Sequence, residues 1–390
     1  MMRLFPRRLA RLCVAVAVAS SGVLFSSAPI AARDMVSRQE TADAGWIGAD
    51  LSSGSVVVEV VLAGERVDAI LDTGASHTVI DRALADRLGL TTEESVSVGG
   101  VSGQVQAREG KGIAVQIGEE IYQADPLIVD LSPTGLEQGV IVGRDFFDAH
   151  VVAIDFAGSR IRLLDPEQAS ALPADPIRLS PTSTRILSFP VSVAGHGMVA
   201  ELDLGSQLAM TLSPLAADIV APDKRRSSWI IGDISGFKEV ETVSIPELTM
   251  AGEALHAVPS IIVDRGDDAV SMRMGLPIIR RFSLVLDLGH RQMWLEPDSN
   301  VMGRPFNRDR SGAALEAKSG ILKVRHVARA SPAAASGLAA DDRILKVNGE
   351  AVTAENASRL ARFGFGEAGT RAALQTADGE VHVLTLSDYY

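Results

Sequence analysis

Apolar positions in this chain come in short runs closed by glycine or by a turn of Asp, Ser and Gly. SVVVEVVL at 55–62 and ILSFPVSV at 186–193 are the clearest. They are rich in Val, Ile and Leu at strand length, which predicts β-strands. Helical patterning is brief, near ALADRL (83–88) and LAADIV (215–220). Past residue 300 the runs ILKVRHV, RAALQTA and VHVLTLS predict further strands, with one helical stretch at AENASRLARF.

The pattern occurs twice. AGERVDAILDTGAS (63–76) aligns with AGHGMVAELDLGSQ (194–207), so that Asp72 falls on Asp203, each eight residues after a glycine. VGGVSGQV (98–105) aligns with IGDISGFK (231–238), both read as hairpin tips. GRDFFDAHVVAIDF (143–156) aligns with GLPIIRRFSLVLDL (275–288). Gly143 follows Asp72 by 71 residues and Gly275 follows Asp203 by 72; Asp155 and Asp287 each lie twelve further on. Two copies of one β-rich unit are expected, at 51–172 and 173–300, joined by a linker at 165–176. A second linker at 301–318 precedes a C-terminal module at 319–390.

Composition narrows the chemistry. Hydrophobic residues make up 46% and charged residues 22%, as in a globular chain. The formal charge of −12 argues against nucleic acid, which calls for a clustered basic surface. Lys224-Arg225-Arg226, the short basic cluster past the N-terminus, reads as a solvated loop. Arg3, Arg7, Arg8 and Arg11 precede an uncharged run from Leu12 to Phe25 and then SSAPIAA, the layout of an export signal over 1–32. Its removal takes the charge to about −16, because it carries four arginines and no acid. An uncleaved membrane anchor is the alternative. The sole cysteine, Cys13, lies in this segment. A mature chain has no disulfide, thiolate nucleophile or zinc–thiolate site, and no cofactor or metal is expected. Export without cysteine suits a bacterial periplasm, or secretion.

Asp72 allows two readings. Asp and Gly are ordinary turn residues. Two aspartates on two matching loops can also cleave peptides. Like charges about 3 Å apart share one proton, so their apparent pKa values separate. The ionised partner takes a proton from water and the protonated one polarises the carbonyl. Glycine after each Asp-x pair lets the backbone turn tightly. There is no G-x-S-x-G elbow and no H-E-x-x-H, and the seven histidines are scattered.

LDTGAS, GGVSG and VIVGRDFF together resemble the retropepsin-like aspartic peptidases. The duplication makes the chain similar to a tandem, pepsin-like pseudo-dimer. The resemblance implies a mainly β fold of two closed acid-protease lobes around a cleft for an extended peptide. It makes Asp72 and Asp203 the catalytic pair, supported by Thr73, Gly74, Gly205 and Ser206. The turns with Gly99, Gly100 and Gly103, and with Gly232 and Gly236, match the family's flaps. The second loop departs: Leu204 has no hydroxyl, so half of the family's reciprocal threonine brace is missing. The hydroxyl of Ser206 is expected to favour ionised Asp203, leaving the shared proton on Asp72.

SPAAASGL with DDRILKVNGEAV resembles the core of PDZ domains, small α+β modules that bind peptide tails along a sheet edge. Asp341 stands where that family has glycine. Gly320, Ile321 and Leu322, after Ser319, are the expected carboxylate-binding loop, with Arg359 to Phe363 lining the groove. The overall expectation is an exported aspartic endopeptidase acting on cell-envelope proteins. Its rivals are a non-catalytic peptide-binding scaffold and a peptidase that pairs Asp72 between two chains.

Overall fold

The computed structural model describes residues 23–24, 45–99, 104–132, 136, 138–172, 174–182, 186–233, 236–264, 271–318 and 320–390. Apart from Val23 and Leu24, the expected export signal with Cys13 lies outside these residues. Gly100, Gly103 and Ser319 lie outside them too.

The run at 55–62 forms the strand Val57–Leu62, with Val58, Val60 and Leu62 buried on one side. Ala63 and Gly64 turn it into Glu65–Leu71, its antiparallel partner. That strand lies parallel to Val140–Val142, which runs antiparallel to Val79–Asp81, which is parallel to Leu127–Val129. The later residues repeat these steps. Leu187–Val193 turns into His196–Asp203, parallel to Met272–Gly275, antiparallel to Met210–Leu212, then parallel to Glu253–Ile262. The fold is mainly β.

The helices are short and capped as their sequences dictate. Asp81 caps Arg82–Arg87, accepting from the N–H groups of Ala83 and Leu84. Ser213 caps Pro214–Val220, where Pro214 at the first position loses no helical hydrogen bond. The linker expected at 165–176 contains a further helix, Pro166–Ser170, opened by a capping box of Asp165 and Gln168.

One sheet joins the repeats. Val151–Asp155 pairs antiparallel with Phe282–Asp287, Ala153 opposite Val285. Arg160–Leu164 and Trp46–Asp50 extend it on one side, Gln292–Pro297 and Ile177–Arg178 on the other. Asp155 and Asp287 both close turns: Asp155 accepts from Gly158 N–H (2.8 Å), and Asp287 from His290 N–H (3.0 Å). A continuous apolar core holds Leu71, Val142 and Phe147 with Leu202, Leu204 and Ile278.

The copies differ in their long hairpins. Arg226–Asp233 and Gly236–Met250 form an uninterrupted ribbon, with Gly232 opposite Phe237 and Gly236 opposite Asp233. In the first copy Gly99 ends Thr92–Gly99, opposite Gln104. The return strand Gln104–Gly110 stops at Gly110, and Ile113–Ile117 starts afresh. A side chain at Gly110 would meet Ile113 at 2.7 Å, so the chain packs closely on itself at this break.

The third sheet corrects two expectations. Its first long strand is Ala313–Lys318, so the C-terminal unit begins inside the segment expected to be a linker. Ala313, Leu315 and Ala317 are core residues, and the small size of the two alanines hides the alternation in the sequence. Gly320 sits in the hairpin turn at φ +73°, and Ile321–Val327 is bonded to Ala313–Lys318. On its other side Leu322 faces Ile344. A strand paired on both sides has no edge to offer, so Gly320, Ile321 and Leu322 do not form a peptide-binding edge. The outer strand is Ala313–Lys318, beside which Val23 and Leu24 run parallel. The short helix Ala357–Leu360 packs against that outer strand, and Arg359 is exposed and paired with Glu350. Asp341 adopts φ +73°, the left-handed conformation that favours glycine, and pairs with Lys323 at 2.7 Å.

Candidate active site

Asp72 directly follows the strand Glu65–Leu71 and Asp203 ends the strand His196–Asp203, each in the middle of its sheet. Asp72 N–H donates to Val142 C=O (2.9 Å), and Asp203 lies in register with Gly275. The loops after the aspartates fold back over those neighbours. A side chain at Gly143 would strike the backbone of His77, and one at Gly275 the backbone of Leu208. This crossing explains why the glycines keep step with the aspartates in the sequence.

The crossing aims the loops at each other. A methyl group on Gly74 would lie 2.7 Å from the carboxyl of Asp203, and one on Gly205 would overlap the carboxyl of Asp72. Neither glycine has positive φ. Close approach to the opposite carboxyl, rather than a tight turn, is what requires glycine here. The carboxyls of Asp72 and Asp203 thus face each other across the two loops, and both are buried.

Residues 58–146 match the model of the aspartyl protease family. The matched segment, similar to that family, spans Asp72, Thr73, Gly74 and Gly143 and stops before Asp203. A search of the curated proteins gives no match.

The two loops are braced from one side. Thr73 Oγ1 donates to Leu202 C=O (3.0 Å) and accepts from Leu204 N–H (3.0 Å). Leu204 is fully buried in the core and returns no hydroxyl. Asp72 accepts from Gly74 N–H (2.7 Å) and Ala75 N–H (3.2 Å). Asp203 accepts from Ser206 N–H (3.0 Å), while the Ser206 hydroxyl accepts from Leu208 N–H (3.3 Å). Ser206 therefore reaches Asp203 through its backbone, not through the hydroxyl expected from the sequence. His77 bonds to Ser76.

A residue that sequence reasoning missed supplies charge at this site. Arg273, 3% exposed, donates through Nη1 to Asp203 (3.3 Å) and through Nε and Nη2 to Glu201 (3.2 and 3.1 Å). Glu201 also accepts from Thr182 Oγ1 (3.0 Å). Glu201 lies two residues before Asp203, and Arg273 two before Gly275. The register pairs Glu201 with Arg273. An acid and an arginine at matched offsets from the repeat's landmarks were the available signal.

Burial and the neighbouring Asp203 charge push the Asp72 carboxyl well above the usual carboxylate range. The Gly74 N–H and the Arg273 guanidinium act in the opposite direction. The net direction favours the protonated form of Asp72, while Asp203 lies against the Arg273 guanidinium. Among the described residues, no cluster of three or more His, Cys, Asp or Glu side chains is placed to hold a metal ion.

The hairpin of the second copy touches the C-terminal unit. Ser228 Oγ bonds to His326 (2.9 Å), and Arg329 pairs with Glu241 (3.1 Å). Ala314 packs with Trp229, Ile231 and Val240.

Proposed function

We propose that this chain is an aspartic endopeptidase with one catalytic pair, Asp72 and Asp203, built from the two repeats as in a tandem, pepsin-like pseudo-dimer. Ionised Asp203 takes a proton from a water molecule as that water attacks the scissile carbonyl carbon. Protonated Asp72 gives its proton to the carbonyl oxygen. The tetrahedral intermediate collapses as the nitrogen is protonated and the C–N bond breaks. The hairpins ending near Gly99 and Gly232 act as covers for an extended segment of substrate. The C-terminal unit acts as a PDZ module: once the leader, whose Val23 and Leu24 pair with Ala313–Lys318, is removed, that strand offers a sheet edge to a peptide tail. The apolar leader directs export, so the substrates are envelope proteins.

The observation that carries this reading is the interlock of the loops: each glycine lies against the opposite carboxyl, and both carboxyls are buried. The test is cleavage of an unstructured protein across acid to neutral pH at several enzyme concentrations. Activity per mole independent of concentration, with none restored on mixing Asp72→Asn and Asp203→Asn proteins, is expected. Activity that rises with concentration would favour pairing between chains. No turnover at any pH would leave the chain a binding protein.

A further inference from the structure

We infer that Arg273, held in place by Glu201, is a positioning residue that fixes the negative charge of the pair on Asp203 and makes Asp72 the proton donor. The inference rests on the aspartic peptidase reading and adds a direction to it.

The repeat provides an internal control. Ile70 and Ile141 occupy in the first copy the register positions of Glu201 and Arg273 in the second. Both isoleucines are buried, and Ile141 packs with Ala75, Val79 and Leu127. The same crossing of strands is thus built with two apolar side chains. Burying a guanidinium and a carboxylate takes both out of water, a cost that their attraction must repay. The fold does not require the ion pair, so its value lies in what it does to the neighbouring carboxyls.

The geometry suits that task. A guanidinium has donors on a rigid planar fork. Here Nε and Nη2 are spent on Glu201, which sets the plane and leaves Nη1 aimed at Asp203 Oδ2. The charged groups acting on Asp72 are Asp203 and Arg273, and those acting on Arg273 are Asp203, Glu201 and Asp72. The cation donates to Asp203 and so makes the two carboxyls unlike. With it, one of the two equivalent proton placements is selected before substrate arrives, and water is activated on the Asp203 side.

The test is a carboxyl-carbon NMR titration of Asp72 and Asp203 in the full-length protein, which needs no turnover, followed by the acid limb of the cleavage profile. Removing the cation in Arg273→Met should raise the acid-side midpoint of the pair by about one pH unit or more, the shift expected for losing an opposite charge at contact. Removing the competing anion in Glu201→Gln should lower it. Arg273→Lys should keep it closer to the parent value than Arg273→Met does. A purely structural role moves stability without opposite shifts in the titration. The inference is overturned if Glu201→Gln shifts the midpoint upward or not at all in a folded protein. Glu201→Gln decides the matter alone should Arg273→Met not fold. A wild-type protein that titrates as described yet cleaves nothing would refute the peptidase reading and leave the charge assignment standing.

Discussion

The two aspartate loops have one backbone and two chemistries. Both cross a glycine, both follow the same strand steps, and both present a glycine to the opposite carboxyl. Their side chains divide the labour. The first loop holds the hydroxyl brace in Thr73, surrounded by apolar residues. The second gives up that hydroxyl for Leu204 and holds the charge network of Glu201 and Arg273. A duplicated fold therefore keeps whatever brings two carboxyls together, and can specialise everything that tells them apart. Leu204 packs into the core instead, and its N–H donates to Thr73.

The largest expected effect comes from the shared feature. In Gly205→Ala the new methyl overlaps the Asp72 carboxyl, and the carboxyls are forced apart. Cleavage should fall by at least about a hundredfold, the scale of lost acid–base catalysis. Near-normal kcat in this variant would mean that the interlock is not needed.

Thr73→Val tests the one-sided brace. It leaves Leu204 N–H and Leu202 C=O without their partner, each buried, and should cost about 1–3 kcal/mol per orphaned group in denaturant unfolding. An equal loss from Leu204→Ile, which removes no hydrogen bond, would show that packing rather than the brace is being measured.

The stability of the pair itself depends on pH. A carboxyl whose folded-state pKa is raised binds its proton more tightly in the folded chain than in the unfolded one. Its contribution is fully present below the ordinary value of 3.8 and is lost as pH rises toward the raised value. Asp72→Asn removes this loss. The melting temperature of Asp72→Asn should therefore gain on wild type as pH rises from acid to neutral; a gap that is constant with pH would place the proton elsewhere.

The smallest effect is expected for Ser206→Ala. Its hydroxyl accepts from Leu208 N–H and its backbone serves Asp203. The acid limb of the cleavage profile should stay within a few tenths of a pH unit, with a stability cost of about 1 kcal/mol. A shift as large as that of Arg273→Met would return the charge-setting role to Ser206.

Much of this was legible in the sequence because it is carried by spacing. Asp72 with Gly143, and Asp203 with Gly275, keep step because parallel neighbours and a crossing loop leave little slack. Strand alternation at 57–62 and the caps at Asp81 and Ser213 are local, and local chemistry reads directly. Arg273 and Glu201 did not read, because each looks like an ordinary polar residue in a strand until register sets them side by side beneath Asp203. The strand Ala313–Lys318 escaped notice because alanine alternation gives a weak apolar signal. The expected peptide-binding loop at Gly320–Leu322 failed on topology: a glycine before an apolar run does not reveal whether the following strand lies at an edge.

The central claim is that Asp72 and Asp203 of one chain act as a single catalytic pair. Its most direct test is the cleavage rate of an unstructured protein by wild type, Asp72→Asn and Asp203→Asn, each shown folded by its melting transition. The account predicts that either substitution alone lowers the rate by at least about a hundredfold. Wild-type turnover in Asp203→Asn would contradict it.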